Sequence, residues 1–171
     1  AAALKEFIET HYKQVKEVII CETLEEAVRG SDIISESVSV KPGQYPTYKK
    51  EWLKPGVTLI ATSFFNMDKK ELVGIRKVVD NWKMYEEYGI EDEEGYDENG
   101  MRKATGCMGE EFYYMVEDGL ITRDSIDHLG EIIRGKKLGR KSDDEIIFVA
   151  IEGMAIEDVA LGSEIYRNAV D

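Results

Sequence analysis

Two short stretches carry the side chains best suited to hold a small polar ligand. They are the hydroxyl-rich run Ser35 to Ser39 and the segment Ala61-Thr62-Ser63. Each closes an apolar run of strand character, Asp32-Ile33-Ile34 in the first case and Val57 to Ala61 in the second. Parallel α/β sheets take ligands at the carboxyl ends of their strands. Ser37, Ser39, Thr62 and Ser63 therefore form the candidate site. Hydroxyls at strand ends also satisfy local backbone groups, so both roles stay open. Cys21 and Cys107 fit no CxxC or zinc spacing and read as two reduced thiols. His11 and His128 have no partner at metal-ligand spacing, and no metal site is expected.

The elements that must position these residues alternate. Leu4, Phe7, Ile8 and Tyr12 recur on one helix face. The apolar run Val18-Ile19-Ile20 follows, then a helix opened by the capping box Thr23/Glu26. The Asp32-Ile33-Ile34 strand leads through a loop containing Pro42, Gly43 and Pro46 to a helical turn around Tyr48 to Leu53. The turn Lys54-Pro55-Gly56 precedes the Val57 to Ala61 strand. Asp68 caps a further helix, Lys77 to Asp80 is a strand, and Asn81 to Tyr88 is helical. The acidic stretch Glu91 to Gly100 has no apolar periodicity and reads as a mobile surface loop. Glu110 to Asp118 is a helix with Phe112, Met115 and Val116 inward. Thr122 caps another, with Ile126, Leu129, Ile132 and Ile133 inside and Gly135 at its end. Glu145 to Val149 is the last strand and Ile156 to Ala169 the last helix. Strands alternating with helices predict an α/β fold with a parallel sheet.

Composition narrows the function classes. The 171 residues are 43% hydrophobic and 33% charged, which argues against disorder. A net charge of −13 disfavours nucleic acid, whose phosphates need a basic surface. No apolar run approaches the roughly 20 residues of a membrane span. A soluble, cytoplasmic protein without membrane partners is the expectation. The chain opens Ala-Ala-Ala-Leu inside a helical pattern, which suggests a piece of a longer polypeptide.

Three blocks carry a resemblance. Thr23-Leu24-Glu25-Glu26-Ala27-Val28-Arg29-Gly30-Ser31-Asp32-Ile33-Ile34 resembles the third-to-fourth-strand passage of the ornithine cyclodeaminase/μ-crystallin family. Glu51-Trp52-Leu53-Lys54-Pro55-Gly56 is similar to its EWLKPG turn. Gly139-Arg140-Lys141-Ser142-Asp143-Asp144-Glu145-Ile146 is similar to its GRxSDDEI stretch, followed by the acidic pair Glu157-Asp158. The resemblance implies a homodimer with two domains per subunit, one binding an amino-acid substrate and a Rossmann domain binding NAD or NADP. Residues 1–150 would be a partial Rossmann domain, and 151–171 a helix returning toward the other domain. The implied reaction converts L-ornithine to L-proline and ammonia through an imine, with the hydride taken and returned by the cofactor. Imine reductases, an alanine dehydrogenase and a lens crystallin without clear activity share the family, so these remain alternatives.

The chain departs from that pattern in three places. The family's phosphate-gripping GxGxxG turn is missing, and Gly106-Cys107-Met108-Gly109 does not supply it. Val18 to Ile20 would then be the family's third strand, and the first two strands would be absent. In the order 3-2-1-4-5-6 that leaves the fourth strand with a bare edge. The family's Asp base lies in a GDxPGKxEL motif, which matches Ser63-Phe64-Phe65-Asn66-Met67-Asp68-Lys69-Lys70-Glu71-Leu72. Phe65 stands where the Asp is expected, with Asn66 and Asp68 as weak substitutes. Asn66 has the means to orient a substrate, and Asp68 is also a helix cap. Ser37 and Ser39 stand near the family's Thr-x-Thr beside the nicotinamide ribose. Gly153 matches a glycine in the family's last strand-to-helix turn. Ser142 to Asp144 either contact a partner or cofactor or act as caps. The residue selecting NAD over NADP would lie before Ala1.

Overall fold

The computed structural model describes the chain apart from Pro42, residues 92–94, Asn99, Thr105 and Asp171. Part of the loop read around Pro42 and the middle of the acidic stretch therefore lie outside the described residues.

Helix α1 (Ala2–His11) carries the expected apolar stripe yet buries none of its residues. Helix α2 (Leu24–Val28) starts at the capping box, with Thr23 and Glu26 each accepting from the other's backbone N–H. Strand β1 (Ile33–Glu36) and strand β2 (Thr58–Ala61) alternate buried and less buried positions, as strands in a sheet must. Helix α3 (Lys69–Val73) is capped by Asp68. Strand β3 (Arg76–Val79) leads into helix α4 (Trp82–Glu91). Strands β4 (Gly95–Tyr96) and β5 (Arg102–Lys103) form an antiparallel pair. Helix α5 (Met108–Glu117), strand β6 (Ile126–His128), helix α6 (Leu129–Ile133), strand β7 (Ile147–Ala150) and helix α7 (Ala155–Val170) complete the order.

Five strands make one parallel sheet in the order β1-β2-β7-β3-β6. Its core joins Leu59 and Ala61 to Phe148, Phe112, Met115 and Leu72. Helices α4 and α5 pack reciprocally. Gly89 leaves room for the Tyr113 ring and Gly109 for the Tyr85 ring, so a Cβ at either glycine would strike the facing aromatic.

Three expectations need correction. Val18 to Ile20 belongs to no strand, and Ile19 is 69% exposed. A lone apolar run becomes a strand only beside another backbone, and here it has none to pair with. β1 accordingly forms the outer edge, with Ile33 63% exposed. The stretch from Thr122 to Gly135 is not one helix. A 3₁₀ turn, Arg123–Ser125, leads into β6, which pairs with Lys77 to Val79. Short apolar runs fit either period, and the open edge of β3 decides this one. Ile126 is buried in the sheet while Ile133 faces solvent. Part of the supposed surface loop is the β4–β5 ribbon, whose turn is tied by the Asp97 carboxylate accepting from the Met101 N–H at 2.9 Å.

Candidate functional site

The carboxyl ends of β1, β2, β7 and β3 lie side by side, so the residues leaving them share one edge. Ser37 and Ser39 follow β1 and are exposed. Thr62 and Ser63 follow β2, but their hydroxyls are engaged with Glu36. The Thr62 hydroxyl donates to the Glu36 carbonyl at 3.2 Å, and the Ser63 hydroxyl donates to the Glu36 carboxylate. The second carboxylate oxygen of Glu36 accepts from the Val38 N–H at 2.9 Å. Glu36 is 2% exposed and thus pins the exit of β1 against that of β2.

Gly153 follows β7 with φ +81°, and nothing lies within 4 Å of where its side chain would be. The left-handed backbone calls for glycine there; close packing does not. This turn is held from the neighbouring strand. One oxygen of Asp80 accepts from the backbone N–H of Glu152 at 3.2 Å and of Gly153 at 3.3 Å. The other accepts from the Tyr85 hydroxyl at 2.6 Å and the Asn81 N–H at 2.7 Å. Burial, followed by the Asp80 hydrogen bond and charge, raises the Tyr85 hydroxyl above its ordinary pKa.

Glu152 extends this edge at the end of the central strand. Burial pushes its carboxyl up to about 7, opposed by a backbone hydrogen bond from Met108 and reinforced by the charges of Asp80, Glu36 and Glu110. Its Oε1 is buried with no hydrogen-bond partner among the described residues. Cys107, the N-cap of α5, accepts from the Glu110 N–H at 3.4 Å, and burial pushes its thiol up to about 12. Among the described residues no three His, Cys, Asp or Glu side chains group as a metal site.

Phe65 turns into the core. It is fully buried, stacked on Tyr48 at 3.6 Å between centroids and edge-on to Phe148 at 5.1 Å. Asp68 is occupied as a cap, accepting from the Lys70 N–H at 2.7 Å. Asn66 faces a cleft, donating to the Thr47 hydroxyl at 2.7 Å and accepting from Lys103 Nζ at 2.8 Å. Ser142 to Asp144 lie at the opposite, amino end of the sheet, where a side chain on Gly56 would strike the Asp143 carbonyl.

Sequence reasoning thus located the edge but missed Glu36, Asp80, Tyr85, Glu152 and Lys103. One signal was available: Glu36 occupies an inward position of β1, two residues after Ile34. A carboxylate at such a position needs a built set of donors.

A second buried carboxylate gives the fold a measurable pH response. Glu111 is 2% exposed; burial pushes it up to about 7, against the charge of Lys69 and a hydrogen bond from the Ala104 N–H. A carboxyl whose folded pKa lies above its unfolded value contributes stability that is complete below the unfolded value. That stability is lost as pH rises through about 7. For Glu111 the loss is on the order of 3 kcal/mol. Urea unfolding of the chain should show stability falling as pH rises from the ordinary carboxyl value of 4.5 to about 7, and Glu111→Gln should flatten that slope. An unchanged slope in the variant would mean that Glu111 does not hold its proton in the fold.

The fold and its edge define a class: a parallel α/β unit with a polar, carboxylate-held face at its strand ends. The chain belongs to the ornithine cyclodeaminase/mu-crystallin family, whose model matches residues 1–171. It is 33% identical over 138 residues to an alanine dehydrogenase of Archaeoglobus fulgidus, covering 78% of this chain and 37% of that protein. It is 29% identical over 152 residues to a Δ1-pyrroline-2-carboxylate reductase of Bacillus thuringiensis, covering 85% and 40%. An archaeal alanine dehydrogenase dimer solved with bound NAD superposes with a TM-score of 0.67 at 26% identity, over 99% of this chain and 47% of that one. The chain therefore spans less than half the length of these relatives. No helix among the described residues is long and apolar enough to cross a membrane.

Proposed function

We propose that this chain is the nicotinamide-side part of an NAD(P)-dependent oxidoreductase that moves a hydride at the carbon–nitrogen bond of an amino acid or its imine. The observation that carries the reading is the set of carboxylate acceptors at the strand ends, the buried Glu36 and the half-buried Asp80 and Glu152, with Glu152 Oε1 itself shielded. An oxidised nicotinamide ring is cationic and its carboxamide is a donor, so the free Oε1 of Glu152 is complementary to it. The exposed Ser37 and Ser39 suit a ribose, and Gly153 leaves open space beside the turn. No phosphate-gripping turn accompanies them, so the pyrophosphate would be held by residues outside this chain.

When bound, the cofactor supplies the hydride acceptor or donor. This chain's residues set the frame around it. Glu36 fixes the exits of β1 and β2, Asp80 fixes the backbone of Glu152 and Gly153, and the Glu152 carboxyl can hold a proton near neutral pH. Residues 1–150 are proposed as part of the nucleotide-binding domain. Helix α7 would return to a substrate and dimer domain, in keeping with its exposed Ile156, Val159, Leu161 and Ile165.

Dehydrogenation or imine reduction is favoured over ornithine cyclodeamination because Phe65 stands at the expected base position and lies in the core. Full-length protein should generate NADH from NAD and an L-amino acid, or consume NAD(P)H with a cyclic imine such as Δ1-pyrroline-2-carboxylate. Ammonia released from ornithine with no net change in NADH would establish cyclodeamination instead. Absence of turnover with every amino acid and imine tried would sink the reading.

A further inference from the structure

Just past the end of β2 the chain borders a cleft of about 250 Å³ that the strand-end site does not use. Its lining includes Tyr45, Phe64, Asn66, Tyr96, Lys103 and Ala104. Two features fit one kind of occupant. Tyr45 meets Phe64 edge-on at 5.3 Å, and the exposed Tyr96 on β4 stands in the same wall, giving the cleft an aromatic face. Lys103 Nζ lies 5.4 Å from the Phe64 ring centre. Among the described residues, its one hydrogen-bond partner is the Asn66 carboxamide, and it makes no salt bridge. An ammonium has three donors, so two remain for a ligand. Lys69 and Lys137 pair with carboxylates; Lys103 is hydrogen-bonded to a neutral amide and acts on the buried Glu111 carboxyl only through its charge.

We propose that this cleft binds an amino-acid substrate with an aromatic side chain, Lys103 taking its carboxylate and Tyr45, Phe64 and Tyr96 flanking its ring. The proposal rests on the reading above, because the cleft opens at Phe64 just past β2, on the strand-end edge that reading assigns to the cofactor. It also assigns the β4–β5 ribbon a purpose as the outer wall of the substrate cleft. A larger neighbouring cleft shares Asn66, Tyr96 and Lys103 and is walled by Asp97 and Glu98. That acidic wall would suit a basic side chain such as ornithine's, which makes ornithine the informative competitor.

Calorimetry on full-length protein with NADH bound separates these outcomes, since NADH cannot accept a hydride and the amino acid stays intact. L-phenylalanine should bind about tenfold or more tightly than L-alanine or L-ornithine. Lys103→Met should weaken L-phenylalanine about tenfold and erase its advantage over L-phenylalaninamide, which lacks the carboxylate. Tyr96→Ala, on the exposed ribbon, should cost about fivefold for L-phenylalanine and leave L-alanine unchanged. L-ornithine or L-alanine binding as tightly as L-phenylalanine, or an affinity unmoved by both substitutions, overturns the proposal. NADH formation from an amino acid is read separately. Its absence would count against the oxidoreductase reading, while the binding data alone decide the cleft.

Discussion

Arg76→Met should cost about 3–5 kcal/mol and lower the melting temperature by roughly 10 °C. The guanidinium starts β3, with its side chain 7% exposed, and reaches three other segments. Nε and Nη2 donate to one oxygen of Asp127 in β6, at 2.9 and 2.7 Å. Nη1 donates to Glu145 just before β7, at 3.2 Å. The remaining donors reach the carbonyls of Gly139 at 3.0 Å and Leu138 at 2.7 Å. Removing the cation would leave two carboxylates at 12% and 16% exposure facing one another. Lys137 would compensate only at Asp127.

Arg76→Lys should recover part of the loss, since an ammonium keeps the charge but not the fork. The sign of the pH response provides a check. Burial would raise Asp127, but hydrogen bonds and charge from Lys137 and Arg76 outweigh it and hold the carboxyl below its ordinary range. A depressed carboxyl contributes stability above the unfolded pKa and loses it as pH falls through the folded one. Wild type and Arg76→Met should therefore converge in acid. A thermal melt displaced by under about 3 °C at neutral pH would show that this network does not hold the sheet together.

The same network gives the Gly139 to Ile146 stretch its place in the fold. The Gly139 to Ile146 stretch is dense in hydroxyl, charge and glycine, which suits a ligand site as well as a cap. The structure places it at the amino end, where Arg140 donates to the Thr58 hydroxyl and the Glu145 carbonyl. What sequence could disclose was local. The capping box at Thr23, the Asp68 cap and the strand ending at Ala61 each rest on residues a few positions apart. The strand-end rule then located Ser37, Thr62, Ser63 and Gly153 on one edge. What escaped depends on distant partners. Glu36 meets Ser63 across 27 positions, Asp80 meets Gly153 across 73, and Lys103 meets Asn66 across 37. β6 escaped for the same reason: three residues become a strand only because β3 offers an unpaired edge 49 positions earlier, at Lys77↔Ile126. Phe65 shows a third case. Its place in a motif suggests the site, while its apolar ring belongs to the stack between Tyr48 and Phe148.

Asp80→Ala should cost about 2–4 kcal/mol and act on the candidate site directly, because one carboxylate accepts four hydrogen bonds there. Two of those donors, the Glu152 and Gly153 amides, belong to the turn between β7 and α7. The Tyr85 hydroxyl belongs to α4, which itself seats α5 through Gly109. Loss of the carboxylate leaves these groups to find water in a half-buried place, and the left-handed turn at Gly153 loses its anchor from β3. The effects should therefore appear together as a lower melting temperature and faster amide exchange at Gly153. The Asp80 charge adds to burial in raising Glu152, so its removal should lower the Glu152 carboxyl from about 7, with burial still holding it above the ordinary range. Asp80→Asn keeps the shape but turns two donors toward a set of donors, so it should recover little of the stability. If Asp80→Ala leaves Gly153 exchange at the wild-type rate, the turn stands without β3, and the edge would no longer be a single preorganised unit.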